Sequence, residues 1–149
     1  AAGISPLQNQ RVALSSADMV AACAAHMVAE LEAIPRPDGR PTEVQVGLNT
    51  GPVCAEVIGL ASPRFSIFGD TVNTASRLAS NAKRCIPGNE TNVHLSESTA
   101  NALTVDGLSM LSTEASLEFR GGLEPTHVKG KGAMHHAYLH RRWGEGCSE

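Results

Sequence analysis

Aromatic side chains are scarce: Phe65, Phe68, Phe119, Tyr138 and Trp143 are the only five in 149 residues. The core must therefore be built from Val, Leu, Ile and Ala, and there is no stacking platform for single-stranded nucleic acid. Excess charge of one sign is also missing. The 12 Lys and Arg stand against 15 Asp and Glu, for a net charge of -3, which excludes the basic surface that nucleic acid demands. No apolar run approaches the roughly 20 residues of a membrane span; the densest, Val20-Ala21-Ala22-Cys23-Ala24-Ala25, stops at His26. Nothing reads as a signal peptide. The four cysteines (Cys23, Cys54, Cys85, Cys147) are scattered and form no C-x-x-C pair, which excludes zinc-site spacing and a dense disulfide framework. A reduced, cytoplasmic setting is expected, and there the sequon Asn89-Glu90-Thr91 has no role.

Several catalytic signatures are absent too. The chain has no Walker phosphate loop, no G-x-G-x-x-G after a strand, no H-E-x-x-H and no G-x-S-x-G. His135, His136 and His140 crowd one late segment without thiol or carboxylate companions, and read as ordinary histidines rather than metal ligands.

What is present is enough for one folded unit. A chain near 150 residues buries about 68–70% of its unfolded surface, and 42% hydrophobic with 18% charged residues argues against disorder. Residues 10–34 read as a helix, with Val12, Met19, Cys23, Met27, Leu31 and Ile34 on one apolar face. The Pro35–Pro41 stretch ends it. Residues 43–48 and 53–58 read as strands forming a hairpin through Asn49-Thr50-Gly51-Pro52. A third strand at 64–68 runs into a helix at 71–82 with Asp70 as its cap and Val72, Ala75 or Ser76, and Ala79 buried. Residues 83–92 read as a polar loop and 93–95 as a strand. Ser96 opens another helix, and everything from Leu108 onward reads as short strands before a frayed tail at 144–149. Interleaved helices and strands give an α+β or α/β class, with one sheet covered on one face.

Two segments carry charge in a pattern suited to phosphates. In Arg64-Phe65-Ser66-Ile67-Phe68-Gly69-Asp70-Thr71-Val72-Asn73-Thr74-Ala75-Ser76-Arg77, Asn73 and Arg77 lie four apart, so both project from one helix face. A guanidinium can pair with phosphoryl oxygens and an amide can orient a sugar oxygen. On spacing alone, a solvated surface helix with an incidental Asn is the better reading of the pair. In Val128-Lys129-Gly130-Lys131-Gly132, glycines let the backbone approach an anion that the lysines neutralise, though Lys-Gly turns are common on surfaces.

Taken with residues 43–59, these segments resemble the class III nucleotidyl cyclases in order and separation, over roughly 42–139. The resemblance implies an α+β domain built on a ferredoxin-like sheet with helices on one face. It implies attack of a ribose 3′-oxygen on an α-phosphorus with loss of pyrophosphate, in a site shared by two cyclase domains, identical or different. On that footing Arg77 would stabilise the α-phosphoryl charge and Asn73 would hold the ribose. Lys129 and Lys131 would meet the terminal phosphates, and Ser66, with Ile67 and Phe68 beside it, would read the purine. A serine hydroxyl can donate to guanine O6 or accept from an amino group, so GTP is expected over ATP. The two aspartates that hold Mg²⁺ or Mn²⁺ in this family lie upstream of the matching segments, so no metal ligand is expected within the chain. Glu56 also stands where the family tends to have glycine. The initial Ala and the late start of the match lead us to expect a piece of one larger cyclase domain, spanning 1–149 and inactive alone. Its parent would be soluble or the cytoplasmic part of a membrane protein. The alternatives are an adenylyl cyclase, a non-catalytic cyclase-homology dimerisation module, and a ferredoxin-like binding domain that merely looks similar.

Overall fold

The computed structural model describes residues 14–40, 42, 44–85, 92–114, 117–120, 125–128 and 130–141. The start of the first helix expected at Gln10, with Val12, lies outside these residues, as do Pro87-Gly88-Asn89, Lys129 and the tail. Helix α1 (Ser16–Glu32) is followed by β1 (Gln45–Leu48), β2 (Cys54–Ile58), β3 (Arg64–Phe68) and α2 (Asp70–Cys85). Then come β4 (Asn92–Ser96), α3 (Glu97–Ala100), α4 (Val105–Glu114), β5 (Leu117–Arg120), β6 (Thr126–Val128), β7 (Gly132–Met134) and β8 (His136–Arg141). The mixed α+β class holds.

Four strands form the central sheet in the order β1-β4-β8-β5, with β1 parallel to β4 and the other pairs antiparallel. The expected hairpin between the first two strands is therefore wrong. A parallel neighbour needs a crossover connection, and β2, β3 and α2 supply it. β2 pairs with β3 instead, as a separate two-stranded ribbon, and the segment 49–52 is held away from a turn by its own contacts. Asn49 Nδ2 donates to the Thr71 carbonyl at 3.0 Å, and Thr71 Oγ1 donates to the Pro52 carbonyl at 2.6 Å.

Helices cover both faces of the sheet, against the expectation of one. Val93 and Leu95 of β4, with Ala137 and Leu139 of β8, pack on Ala21, Ala24, Ala25 and Val28 of α1 and on Leu111 of α4. Their alternates on the opposite face, Gly47 and His94, meet α2. All of Val93, His94, Leu95 and Ser96 are buried. A strand buried on both sides requires cover on both, and the polar His94 and Ser96 disguised this as a half-exposed pattern. Gly47 permits the approach: a Cβ there would run into the Ala75 carbonyl and the Ala79 amide of α2.

Two helices also differ from expectation. The buried residues of α1 are Asp18, Ala21, Ala24, Ala25 and Val28, whereas Met19 and Met27 are more than half exposed and Cys23 is exposed. Small side chains let α1 lie close to its neighbours, so the larger apolar residues turn outward. Ser15 and Asp18 form a complete capping box at its start. The buried Asp18 carboxylate also accepts from the Thr104 amide and hydroxyl, both at 2.9 Å, which ties α1 to the start of α4. From Leu108 onward that helix occupies residues expected to be strands. Thr104 sets its first turn, accepting from the Leu108 amide at its carbonyl and from the Gly107 amide at its hydroxyl. At Ser96 the expected N-cap is found, its hydroxyl accepting from the Thr99 amide.

Candidate active site

β3 occupies the expected residues and feeds α2 through Gly69, whose φ of 134° lies where side chains are disfavoured. The ladder of α2 begins with the Asn73 amide donating to the Gly69 carbonyl. Asp70 is the first residue of the helix and not its cap. Its carboxylate forms an ion pair with Lys131 from the turn between β6 and β7, while still favouring the positive end of the helix. Among the described side chains of α2, Thr74 and Leu78 are buried; Val72, Ala75 and Ala79 are half-buried and Ser76 is exposed.

Asp70, Asn73 and Arg77 follow at spacings of three and four, so they share one helix face. Asn73 is exposed and Arg77 half-buried. Gly130, with φ 73°, lies directly on the Arg77 guanidinium: a Cβ there would stand 2.8 Å from Nη1. The fold thus brings the glycine-flanked lysine turn onto the arginine helix, although the two segments lie some fifty positions apart in the chain. Among the described residues no carboxylate pairs with Arg77, which leaves its charge available to an anion.

Ser66 is half-buried on β3, directly across from Glu56 on β2. Ile67 and Phe68 are exposed. The ribbon has two unlike faces. Ala55, Val57, Phe65 and Ile67 make one wholly apolar side, with Val57 and Phe65 about two-thirds exposed (67% and 68%); Cys54, Glu56, Ser66 and Phe68 lie on the other. The sequence missed the pairing of Asp70 with Lys131 and the seat that Gly130 gives Arg77. The glycines flanking Lys131 were the available signal for the second.

The residues present do not fit a divalent metal. Among the described residues no three His, Cys, Asp or Glu side chains come together. Asp70 is engaged by Lys131, Asp38 by Arg40, and Asp18 by backbone amides and Thr104.

Residues 3–141 match the family described as "Adenylate and Guanylate cyclase catalytic domain". The chain belongs to this family. The match begins well before the motif-bearing segments and takes in α1. Among curated proteins, the chain is 44% identical over 96 residues to "Atrial natriuretic peptide receptor 2" of Homo sapiens, covering 64% of this chain and 8% of that protein. It is 43% identical over 96 residues to "Guanylate cyclase soluble subunit beta-2" of Homo sapiens, covering 64% and 13%. Among solved structures, the guanylate cyclase domain of RhGC from Catenaria anguillulae, in complex with GTP, superposes with a TM-score of 0.61 at 29% identity. That superposition covers 85% of this chain and 60% of the other. The cyclase chain thus spans only a small part of its curated relatives. Among its described residues no helix is long and apolar enough to cross a membrane.

Proposed function

We propose that this chain supplies the nucleotide-facing half of a guanylyl cyclase site that converts GTP to cyclic GMP and pyrophosphate. Its central strands would then form part of the ferredoxin-like sheet of that fold, with α2 packed against it. The observation that carries the reading is the half-buried Arg77 guanidinium, seated under the Gly130 turn with Asn73 one helical turn away and no described carboxylate to neutralise it. Arg77 stabilises charge developing on the α-phosphoryl oxygens, Asn73 orients the ribose, and Ser66 donates to guanine O6. Lys129 meets the terminal phosphates; Lys131 contributes less, because Asp70 already offsets its charge. Little covalent work falls to the protein in phosphoryl transfer, so positioning and charge stabilisation suffice. Mg²⁺ or Mn²⁺, which cyclases of this family typically use, has no ligand set among the described residues, so its carboxylates come from another segment or from a partner cyclase domain. The apolar ribbon face of Val57, Phe65 and Ile67 suits such a partner.

The test is complementation. This chain is mixed, in Mn²⁺ and GTP, with a cyclase domain that keeps its aspartates but has lost the equivalent arginine. Cyclic GMP formation should appear, and Arg77→Ala should lower it by roughly 10³-fold or more, as loss of an arginine finger does. Confirmed association without turnover would favour the second reading, a non-catalytic dimerisation module, which the absence of a metal-ligand cluster among the described residues supports. In the same mixture, ATP preferred before any Ser66→Asp change would make the site an adenylyl cyclase.

A further inference from the structure

Directly opposed residues of an antiparallel ladder project from the same face, with Cβ atoms about 4.5–5.5 Å apart. In the ribbon, that pairing sets Glu56 of β2 against Ser66 of β3. Glu56 is exposed and Ser66 half-buried. Arg64 lies diagonally across from Glu56 on this face, yet among the described residues no cation or donor pairs with the carboxylate. Phe68, two residues beyond Ser66, adds an exposed aromatic ring to the same face, against which a planar base can lie. From there the chain passes through Gly69 directly into the helix of Asn73 and Arg77.

We propose that Glu56 is the specificity-determining residue for guanine: its carboxylate accepts from the N1–H and the 2-amino group of the base while Ser66 opposite donates to O6. The inference rests on the functional reading above, which brings a purine to Ser66, and it adds a residue that reading does not use.

Ser66 alone cannot choose a base. Its hydroxyl both donates and accepts, so it serves guanine O6 and the adenine 6-amino group equally well. An ionised carboxylate only accepts. Guanine offers it two adjacent donors, N1–H and the 2-amino group, beside the O6 that Ser66 meets. Adenine offers an unprotonated N1, a lone pair turned towards a negative charge, and carries only hydrogen at C2. Hydroxyl and carboxylate together match the whole guanine edge and oppose the adenine edge, so part of the choice is repulsion of the wrong base. Glycine, which the family tends to have at this position, supplies neither part. The competing role for Glu56 is obstruction, in which a side chain longer than glycine fills space the base needs. The two roles differ in sign.

The test titrates GTP, ITP and ATP, with Mn²⁺ at neutral pH, into this chain and its Glu56→Ala and Glu56→Gln variants. ITP lacks only the 2-amino group of GTP. The wild type should prefer GTP to ITP roughly tenfold, the worth of one hydrogen bond to a charged group, and GTP to ATP roughly a hundredfold. Glu56→Ala should bring GTP and ITP within about twofold of each other. Glu56→Gln should weaken GTP and strengthen ATP, because its amide can donate to adenine N1. Glu56 is exposed and unpartnered among the described residues, so both variants should keep the wild-type circular dichroism and melting temperature, which separates an effect on the ligand from one on folding. A GTP-to-ITP ratio unchanged in Glu56→Ala overturns the proposal, and so does tighter GTP binding in that variant, the mark of obstruction. A wild type that binds none of the three nucleotides overturns the functional reading, and the role of Glu56 falls with it.

Discussion

Gly130 shows how a missing side chain can build a site. Its backbone covers the Arg77 guanidinium, and its φ of 73° suits only glycine. Gly130→Ala would force either the turn or the guanidinium aside and add backbone strain of about 1 kcal/mol or more. We expect GTP affinity, measured by titration calorimetry at neutral pH, to fall roughly tenfold and the melting temperature to fall by roughly 2–4 °C. Gly132 on the same turn has open space around it; although its φ is also positive, an alanine there meets no guanidinium, so its effect on affinity should be smaller. That Asn73 and Arg77 share a helix face was legible in the sequence, because the amide and the guanidinium stand four apart. Asp70 was misread because an acidic residue before a helix serves equally as a cap or as an ion-pair partner, and only the distant Lys131 decides between them.

β1 and α2 approach as closely as two elements can, because Gly47 presents no Cβ to the Ala75 carbonyl and the Ala79 amide. Gly47→Ala must push the helix off the sheet, an overpacking cost of about 1–3 kcal/mol. In a chain of this length that lowers the melting temperature by roughly 2–10 °C; because the shift moves Arg77 as well, GTP affinity should fall alongside it. Which elements were readable follows from where their determinants lie. β3 and the start of α2 were, since the strand alternation and Gly69 are local. The partner of β1 was not, since its register with β4 is fixed across more than forty residues. α1 was placed correctly but turned the wrong way: Met and Ala are both apolar, and periodicity alone does not say which packs closest. α4 was lost because Gly107 lies in its first turn, where a Cβ would collide with the Asp18 carboxylate.

The two buried ionisable anchors, one on each face of the sheet, should make the cyclase chain acid-sensitive in two stages. The folded-state pKa of His94 is depressed below the usual 6.5, chiefly by burial. The unfolded chain therefore binds this proton more tightly, and stability declines as pH falls below that value. For Asp18, burial alone would raise the pKa, but amide donors from Thr104 and Ser15, with the side-chain bonds, bring it below the usual 3.8. Its contribution is present above that pH and lost as pH falls further. Urea unfolding across the acid range should show both declines, with His94→Asn removing the upper and Asp18→Asn the lower; a single decline surviving both substitutions would contradict the assignment. The crossover from β1 to β4 has a consequence of another kind. Ser66, Asn73 and Arg77 all hang in one continuous excursion between two adjacent strands, and only the lysine turn arrives from elsewhere. If those three residues face the nucleotide as proposed, ligand preference would be packaged as a near-modular cassette: the segment between β1 and β4 could be exchanged between relatives, with the four-stranded platform left in place as a socket.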